Sequence, residues 1–185
     1  SATLMSSLGI QLAMIDSTKP GRIGCGFLGQ TGSFHLGDLP NLITPALNIH
    51  PSEDGGLLLQ CTDLDDLADP GVAPSADGEV GAEMLRRTRE LLRDSAGVAL
   101  RRVMVGQRSR PADGLPALGY VSGRVYLAVT HSGITLAPIV GKLIRDELLH
   151  ENRAHILNDY PPDRPIGVDA TDFAPIRSTH FPAAQ

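Results

Sequence analysis

Two polar turns between residues 103 and 138 carry the residues of this sequence that are best suited to bind a ligand. The first turn, Gly106–Pro116, reads GQRSRPADGLP and combines two arginines with an aspartate. The second turn, Thr130–Gly133, follows the apolar run Val125–Val129 and precedes a helix that we predict to begin near Leu136. The first N–H groups of a helix are unpaired and lie at the positive end of its dipole. A strand, a short turn and a helix N-terminus can therefore bind an anion or an electron-rich carbonyl group.

The two turns, in this order and at this spacing, resemble a known family. GQRSRPADGLPALG followed by VYLAVTHSGITLAPIVGKLI is similar to the C-terminal signature of the glycine/D-amino-acid oxidase family of flavoproteins, most clearly over residues 45–149. The resemblance implies that both turns lie against the isoalloxazine ring of FAD. The cofactor-binding residues that it implies are Gly106, His131, Ser132, Gly133, Ile134, Thr135 and Leu136. Without the first turn and the resemblance, an ordinary strand-to-helix turn capped by Ser132 or Thr135 would be the better interpretation of the second turn.

The resemblance also implies a reaction, the oxidation of the C–N bond of an amino acid or secondary amine by hydride transfer to the flavin. Glycine, a D-amino acid or sarcosine would be typical substrates. Such a reaction needs no strong general base, so we assign no catalytic residue, and His131 is expected to support the flavin loop. Flavin is linked to a cysteine near the first turn in the sarcosine-oxidase branch. This chain has no cysteine there, which implies non-covalent FAD.

Three side chains are candidates for binding the substrate. An arginine binds a carboxylate bidentately, and the resemblance implies this role for Arg108. The chain has Arg108-Ser-Arg-Pro where the family often has Arg-Pro, so either Arg108 or Arg110 points at the substrate. The other arginine, which we expect to be Arg110, would pair with Asp113 and stiffen the turn. Asn48 is the third candidate, and its alternative is a polar group satisfied within a strand.

The flanking sequence must supply the elements that position these residues. Strands are predicted at 44–49 and 56–62, joined as a hairpin through Asp54-Gly55, and further strands at 98–105 and 125–129. Apolar residues at helical spacing predict helices over Glu79–Asp94 and from about Leu136 to Glu151, with Pro138 in the first turn of the second helix. The Gly-rich stretch 22–37 is predicted to be irregular or a bent edge strand. The acidic stretch 62–77 is predicted to be a solvated surface loop.

These elements predict a mixed α/β fold. In it, part of a Rossmann-like FAD-binding lobe joins an antiparallel substrate-domain sheet. We predict that residues 1–97 belong to the substrate domain and residues 98–151 to the C-terminal part of the FAD-binding domain. Residues 152–185, which contain several prolines and no periodicity, are predicted to form an extended tail that packs on the surface or is partly disordered.

Composition excludes several classes of partner. The 185 residues are 42% hydrophobic and 20% charged, with a net charge of −5, which argues against nucleic acid as a partner. No apolar run reaches the about 18–20 residues that a membrane-spanning helix needs. Cys25 and Cys61 have no metal-ligand spacing, so we predict free thiols, no metal site and a cytoplasmic protein.

The dinucleotide-binding fingerprint of this family of flavoproteins is missing. Gly24–Gly29 has the letters G-x-G-x-x-G, but no apolar strand precedes it and no helical pattern follows it. The resemblance therefore implies the C-terminal half of an FAD-dependent enzyme, present as a fragment, a cleavage product or a subunit whose partner supplies the N-terminal half. The alternative is a non-catalytic binding or assembly module that retains the fold.

Overall fold

The computed structural model describes residues 2–34, 39–174 and 176. Two compact units form within the chain. The sheet unit consists of residues 16–108, and the hairpin unit consists of residues 2–15 together with the described residues from 109 onward. The prediction of a mixed α/β fold with antiparallel sheets is confirmed. Within the described ranges, no helix has the length and hydrophobicity needed to cross a bilayer.

The sheet unit is built on a five-stranded antiparallel sheet in the order β2-β3-β4-β1-β5. Its strands are β1 (Cys25–Thr31), β2 (Leu42–Ile43), β3 (Asn48–Pro51), β4 (Leu57–Gln60) and β5 (Leu100–Gln107). The predicted hairpin of residues 44–62 is confirmed as β3 and β4. The prediction placed the strand at 98–105 with the FAD-binding part, but β5 pairs with β1 along most of its length and belongs to this sheet.

The glycine-rich strand β1 corrects the prediction of an irregular segment or edge strand, because β1 lies between β4 and β5. Its glycines make room for buried neighbours. A Cβ atom at Gly29 would lie 2.8 Å from the sulfur of Met84, and one at Gly26 would lie 2.5 Å from Arg108 Nη2. The same strand occupies most of Gly24–Gly29, so the rejection of this run as a dinucleotide-binding turn is confirmed.

One helix and one 3-10 turn pack on this sheet. Helix α2 (Glu79–Leu91) confirms the predicted amphipathic helix and places Met84 in the core. The acidic stretch folds differently from the predicted solvated loop. A 3-10 helix, Leu64–Leu67, places Asp65 inside the protein with none of its surface exposed.

The hairpin unit contains the antiparallel strands β6 (Ala117–Ser122) and β7 (Val125–Val129), a short helix α1 (Ala2–Ser7) and the long helix α3 (Gly133–His150). β7 has the predicted bounds, whereas β6 was not predicted. Helix α3 begins three residues before the predicted Leu136, since Ser132 and not a later residue stands at its N-cap. Pro138 is therefore the sixth helical residue, beyond the first turn in which it was predicted.

The segment after α3 is more ordered than the predicted extended tail. It contains two 3-10 helices, His155–Asp159 and Ala170–Asp172, and buries Leu157 almost completely. A β-bridge joins Ile166 to Leu12. Residues 175 and 177–185 of the predicted tail lie outside the described residues.

Candidate functional site

The two turns lie side by side at one end of the β6–β7 hairpin. The pair Ala117–Val129 closes the ladder at that end, so Pro116 of the first turn directly precedes it and Thr130 of the second turn directly follows it. Residues 109–116 of the first turn belong to this unit. For them, the prediction that the two turns come together is confirmed. Gly114 has φ +79° and donates its N–H to Pro111 O at 2.8 Å, and Leu115 N–H donates to Asp113 Oδ1 at 3.0 Å.

The second turn leads into an open helix N-terminus. The first helical hydrogen bond runs from Leu136 N–H to Ser132 O at 2.9 Å, and the Ser132 side chain makes no capping hydrogen bond. The N–H groups of the preceding three residues therefore have no intrahelical partner. Ile134 is 95% exposed, and a Cβ atom at Gly133 would meet nothing closer than Thr130 Cγ2 at 3.9 Å. The start of the helix, Gly133 to Thr135, is exposed and has room for a planar, electron-rich ligand edge.

The aspartate of the first turn is held by a residue that the sequence analysis did not predict. Arg164 forms an ion pair with Asp113 through Nε, and its Nη2 donates to Pro116 O at 2.9 Å and to Leu115 O at 3.2 Å. Asp113 thus has Arg164 as an ion-pair partner, whereas the prediction named Arg110. Burial raises the pKa of Asp113, but Arg164 and the Leu115 N–H outweigh it and hold the pKa below its ordinary value. A lone arginine in a proline-rich tail gives no sequence signal for this contact.

A second cluster of polar and charged side chains, which the sequence analysis did not predict, anchors helix α3. Glu147, the buried residue of that helix, accepts a hydrogen bond from Tyr126 Oη at 2.7 Å and two from Arg153 Nη1 at 2.7 and 2.8 Å. Arg153 also donates to Leu118 O and Leu157 O. Burial and the neighbouring carboxylate raise the pKa of Tyr126. An ionic network thus helps to fix the C-terminal half of α3 to the hairpin.

The predicted substrate and cofactor residues Arg108, Gly106 and Asn48 lie in the sheet unit. Arg108 donates through Nη2 to Asp65 Oδ2 at 2.5 Å and through Nη1 to Arg22 O at 3.0 Å. Gly106 lies within β5, opposite Gly26 of β1. The structure therefore brings His131, Ser132 and residues 133–136 together in one unit and places Gly106 in the other.

A family model described as FAD dependent oxidoreductase, DAO, matches residues 30–147, which is more than half of the chain. The chain belongs to this DAO family. The cofactor of the family is FAD, as the resemblance implied. No curated protein sequence matches the chain.

Solved structures share the DAO fold with this chain. Glycine oxidase from Geobacillus kaustophilus is 23% identical with a TM-score of 0.58, and the match covers 90% of this chain and 43% of that one. L-Proline dehydrogenase from P. horikoshii is 15% identical with a TM-score of 0.60, over 88% of this chain and 43% of that one. L-Amino acid deaminase from Proteus vulgaris is 14% identical with a TM-score of 0.63, over 88% and 40%. The chain thus spans less than half the length of each of these proteins.

The open N-terminus of α3 fits the flavin of a DAO-family protein. Unpaired N–H groups and the positive end of the helix dipole suit the oxygen-rich pyrimidine edge of the ring, on which negative charge collects during reduction. Gly133 leaves the approach to that backbone open. The assignments of individual cofactor-binding residues stay predictions.

Asn48 has an unusual environment for a strand residue. Its side chain is 7% exposed, and its Oδ1 atom is buried with no hydrogen-bond partner among the described residues. A buried polar atom without a partner costs about 1–3 kcal/mol. The alternative of a polar group satisfied within the strand therefore does not hold for this oxygen, and its role in binding substrate stays a prediction.

The buried Asp65 at Arg108 predicts an unusual dependence of stability on pH. Burial raises the pKa of Asp65 to about 6, although the Phe27 N–H at 2.8 Å and Arg108 oppose this shift. The folded protein therefore binds more protons than the unfolded chain between the ordinary pKa of 3.8 and about 6. The free energy of unfolding then falls as pH rises through this window, by up to about 1.4 kcal/mol per pH unit.

Urea unfolding at a series of pH values from 4 to 8 measures this slope, and Asp65→Asn should remove it. Arginine-paired carboxylates such as Asp63 and Glu83 have lowered pKa values, so their stabilising effect is lost as pH falls below their ordinary pKa values of 3.8 and 4.5, and the slope between pH 5 and 6 reports on Asp65. An Asp65→Asn variant that keeps the wild-type slope between pH 5 and 6 would show that another group is responsible.

Proposed function

We propose that the chain is the flavin-facing C-terminal part of an FAD-dependent oxidoreductase that oxidises the C–N bond of an amino acid or secondary amine. One observation carries this proposal. The two turns characteristic of the family meet at one end of the β6–β7 hairpin, where one of them opens helix α3. The solved proteins with the same fold include a glycine oxidase, an L-proline dehydrogenase and an L-amino acid deaminase, and these names support an amino-acid substrate.

In this proposal the residues of the chain bind and orient the cofactor. The N–H groups of Gly133, Ile134 and Thr135 donate to the pyrimidine edge of the flavin, and His131 and Ser132 hold the turn before them. FAD, when bound, supplies the hydride acceptor. Its attachment is non-covalent, because both cysteines, Cys25 and Cys61, are buried in the core of the sheet unit and not in either turn.

An arginine of the first turn binds the substrate carboxylate, and we favour Arg110 over Arg108. The Arg108 guanidinium pairs with the fully buried Asp65 in the sheet unit, whereas Arg110 belongs to the same compact unit as the second turn. The Arg110 guanidinium lies over Gly114, because a Cβ atom there would be 3.5 Å from Nη2 and 3.6 Å from Nε. Arg110 thus stands on the turn that adjoins Thr130–Gly133. Asn48, with its unpartnered oxygen, is a second candidate for contact with the substrate.

Helix α3 supports the proposal that another polypeptide segment completes the FAD-binding lobe. Of its 18 residues only Glu147 is buried, although half of them are hydrophobic. Several large apolar side chains are exposed on it, namely Ile134, Ile139, Leu148 and Leu149. Exposed apolar patches of this kind mark interaction sites. The missing N-terminal part of the family fold, in the same polypeptide or in a partner subunit, is the segment that we propose to cover it.

The test of the proposed function is a purification of the longest polypeptide or complex that contains this chain. A visible absorption spectrum of bound flavin that is bleached anaerobically by glycine, proline or sarcosine would support the proposal. A complete, folded protein that binds no flavin would favour the second candidate, a non-catalytic binding or assembly module. A cytoplasmic location stays a prediction.

We expect the 185 residues alone to bind FAD weakly or not at all. The strand–turn–helix that normally holds the pyrophosphate of a dinucleotide is not present among the described residues, since the Gly24–Gly29 run lies largely in β1. The purified chain should therefore be colourless, and isothermal titration with FAD should give weak binding or none. Recovery of a yellow protein with one FAD per chain would contradict this expectation.

A further inference from the structure

The guanidinium group of Arg164 donates hydrogen bonds to several acceptors of the first turn. It pairs with the Asp113 carboxylate through Nε and donates through Nη2 to Asp113 Oδ1 at 3.3 Å, Leu115 O at 3.2 Å and Pro116 O at 2.9 Å. Its Nη1 donates to Pro161 O at 3.3 Å. The side chains of Arg164 and Asp113 are only 21% and 13% exposed. A planar fork with five donors can satisfy this set of acceptors, whereas a lysine ammonium cannot match the geometry.

The backbone around Arg164 is fixed to the body of the hairpin unit. Ala13 N–H donates to Pro165 O at 2.6 Å and Gly167 N–H donates to Gln11 O at 3.1 Å, on either side of the bridge between Leu12 and Ile166. Pro165 is itself fully buried. These hydrogen bonds therefore fix the backbone next to Arg164, and its side chain reaches the carbonyl groups of the turn.

We propose that Arg164 is a positioning residue for the cofactor site, which holds the turn 110–116 in the conformation that faces the flavin. Asp113 and the carbonyls of Leu115 and Pro116 are the groups through which it acts. Pro116 directly precedes Ala117, which pairs with Val129 at the end of the β6–β7 ladder. By holding Pro116, Arg164 also places the first turn beside Thr130–Gly133. The inference deepens the proposed function and rests on it for the identity of the cofactor.

The first experiment is amide hydrogen exchange on the 185-residue chain. In Arg164→Ala, the amides of Gly114 and Leu115 should exchange at least about tenfold faster, because both are protected by hydrogen bonds within the turn. The central β6–β7 amides should keep their rates, and Arg164→Lys should restore only part of the protection. Arg124→Ala is the matched control, since it removes the same charge from the opposite end of the hairpin. If Arg164→Ala does not fold, Asp113→Asn removes the same ion pair with little change in volume.

The second experiment measures the FAD dissociation constant and the flavin absorption spectrum of the FAD-loaded enzyme that contains this chain. Arg164→Ala should weaken FAD binding about tenfold and alter the spectrum, while Arg124→Ala changes neither. Unchanged exchange at Gly114 and Leu115 would overturn the proposal outright. Faster exchange with unchanged FAD affinity and spectrum would reduce Arg164 to a structural residue. A wild-type enzyme without flavin would instead contradict the proposed function, and the exchange rates would still decide whether Arg164 holds the turn.

Discussion

Replacement of Arg108 by alanine is expected to lower the free energy of unfolding of the chain by about 3–5 kcal/mol, because it leaves a buried carboxylate without its cation. Asp65 has no exposed surface, and its Oδ2 atom lies 2.5 Å from Arg108 Nη2. The Phe27 N–H also donates to this carboxylate at 2.8 Å, but it cannot replace a full positive charge. Urea unfolding of wild type and Arg108→Ala measures the loss directly.

The pH dependence of this loss separates the ion pair from a simple packing effect. Protonated Asp65 needs no cation, so the destabilisation should be larger at pH 8 than at pH 5. Arg102→Ala is the control in strand β5, which directly precedes Arg108, because Arg102 is exposed and donates to Gln30 Oε1 at 2.7 Å. A loss equal at both pH values, or equal in the two variants, would show that the buried pair does not provide the stability.

The two turns and several of the strands and helices could be predicted because their signals are local. Alternating apolar residues and the Asp54-Gly55 pair predict the β3–β4 hairpin, and the apolar run Val125–Val129 predicts β7 with its exact bounds. The same local rules predict the helix after the second turn. Its first residue was missed because the leucine at 136 starts the apolar pattern, whereas the helical backbone already begins at Gly133.

The features that were mispredicted depend on contacts between residues far apart in sequence. Glycines normally weaken a strand, yet Gly26 and Gly29 make β1 possible, since they admit Asp65 with Arg108 and Met84 against the strand. An acidic run normally faces solvent, but Asp65 is buried because Arg108, 43 residues away, neutralises it. Arg164 reaches Asp113 across 51 residues. No periodicity or short motif records such pairings, so the sequence could not assign these partners.

In an FAD-loaded enzyme that contains this chain, Arg110→Ala is expected to raise KM for an amino-acid substrate by about 30-fold or more and to leave flavin binding nearly intact. Removing one partner of a desolvated, bidentate ion pair costs about 2–5 kcal/mol, and each 1.4 kcal/mol is about tenfold in affinity. Arg110→Lys should recover only part of this loss, because lysine keeps the charge but lacks the planar fork. Steady-state kinetics with a carboxylate substrate and FAD titration of the apoenzyme supply the two measurements.

Arg108 provides the internal comparison, since it lies two residues away and is also a candidate for binding the carboxylate. Arg108→Ala should act through stability, with a lowered unfolding midpoint and a KM close to that of wild type for the fraction that remains folded. A large rise in KM in Arg108→Ala with none in Arg110→Ala would assign the substrate to Arg108 and would require its guanidinium to leave Asp65 on binding. If neither variant changes KM, the substrate has no carboxylate, and an uncharged or cationic amine becomes the better candidate, because neither would gain from an arginine in this turn.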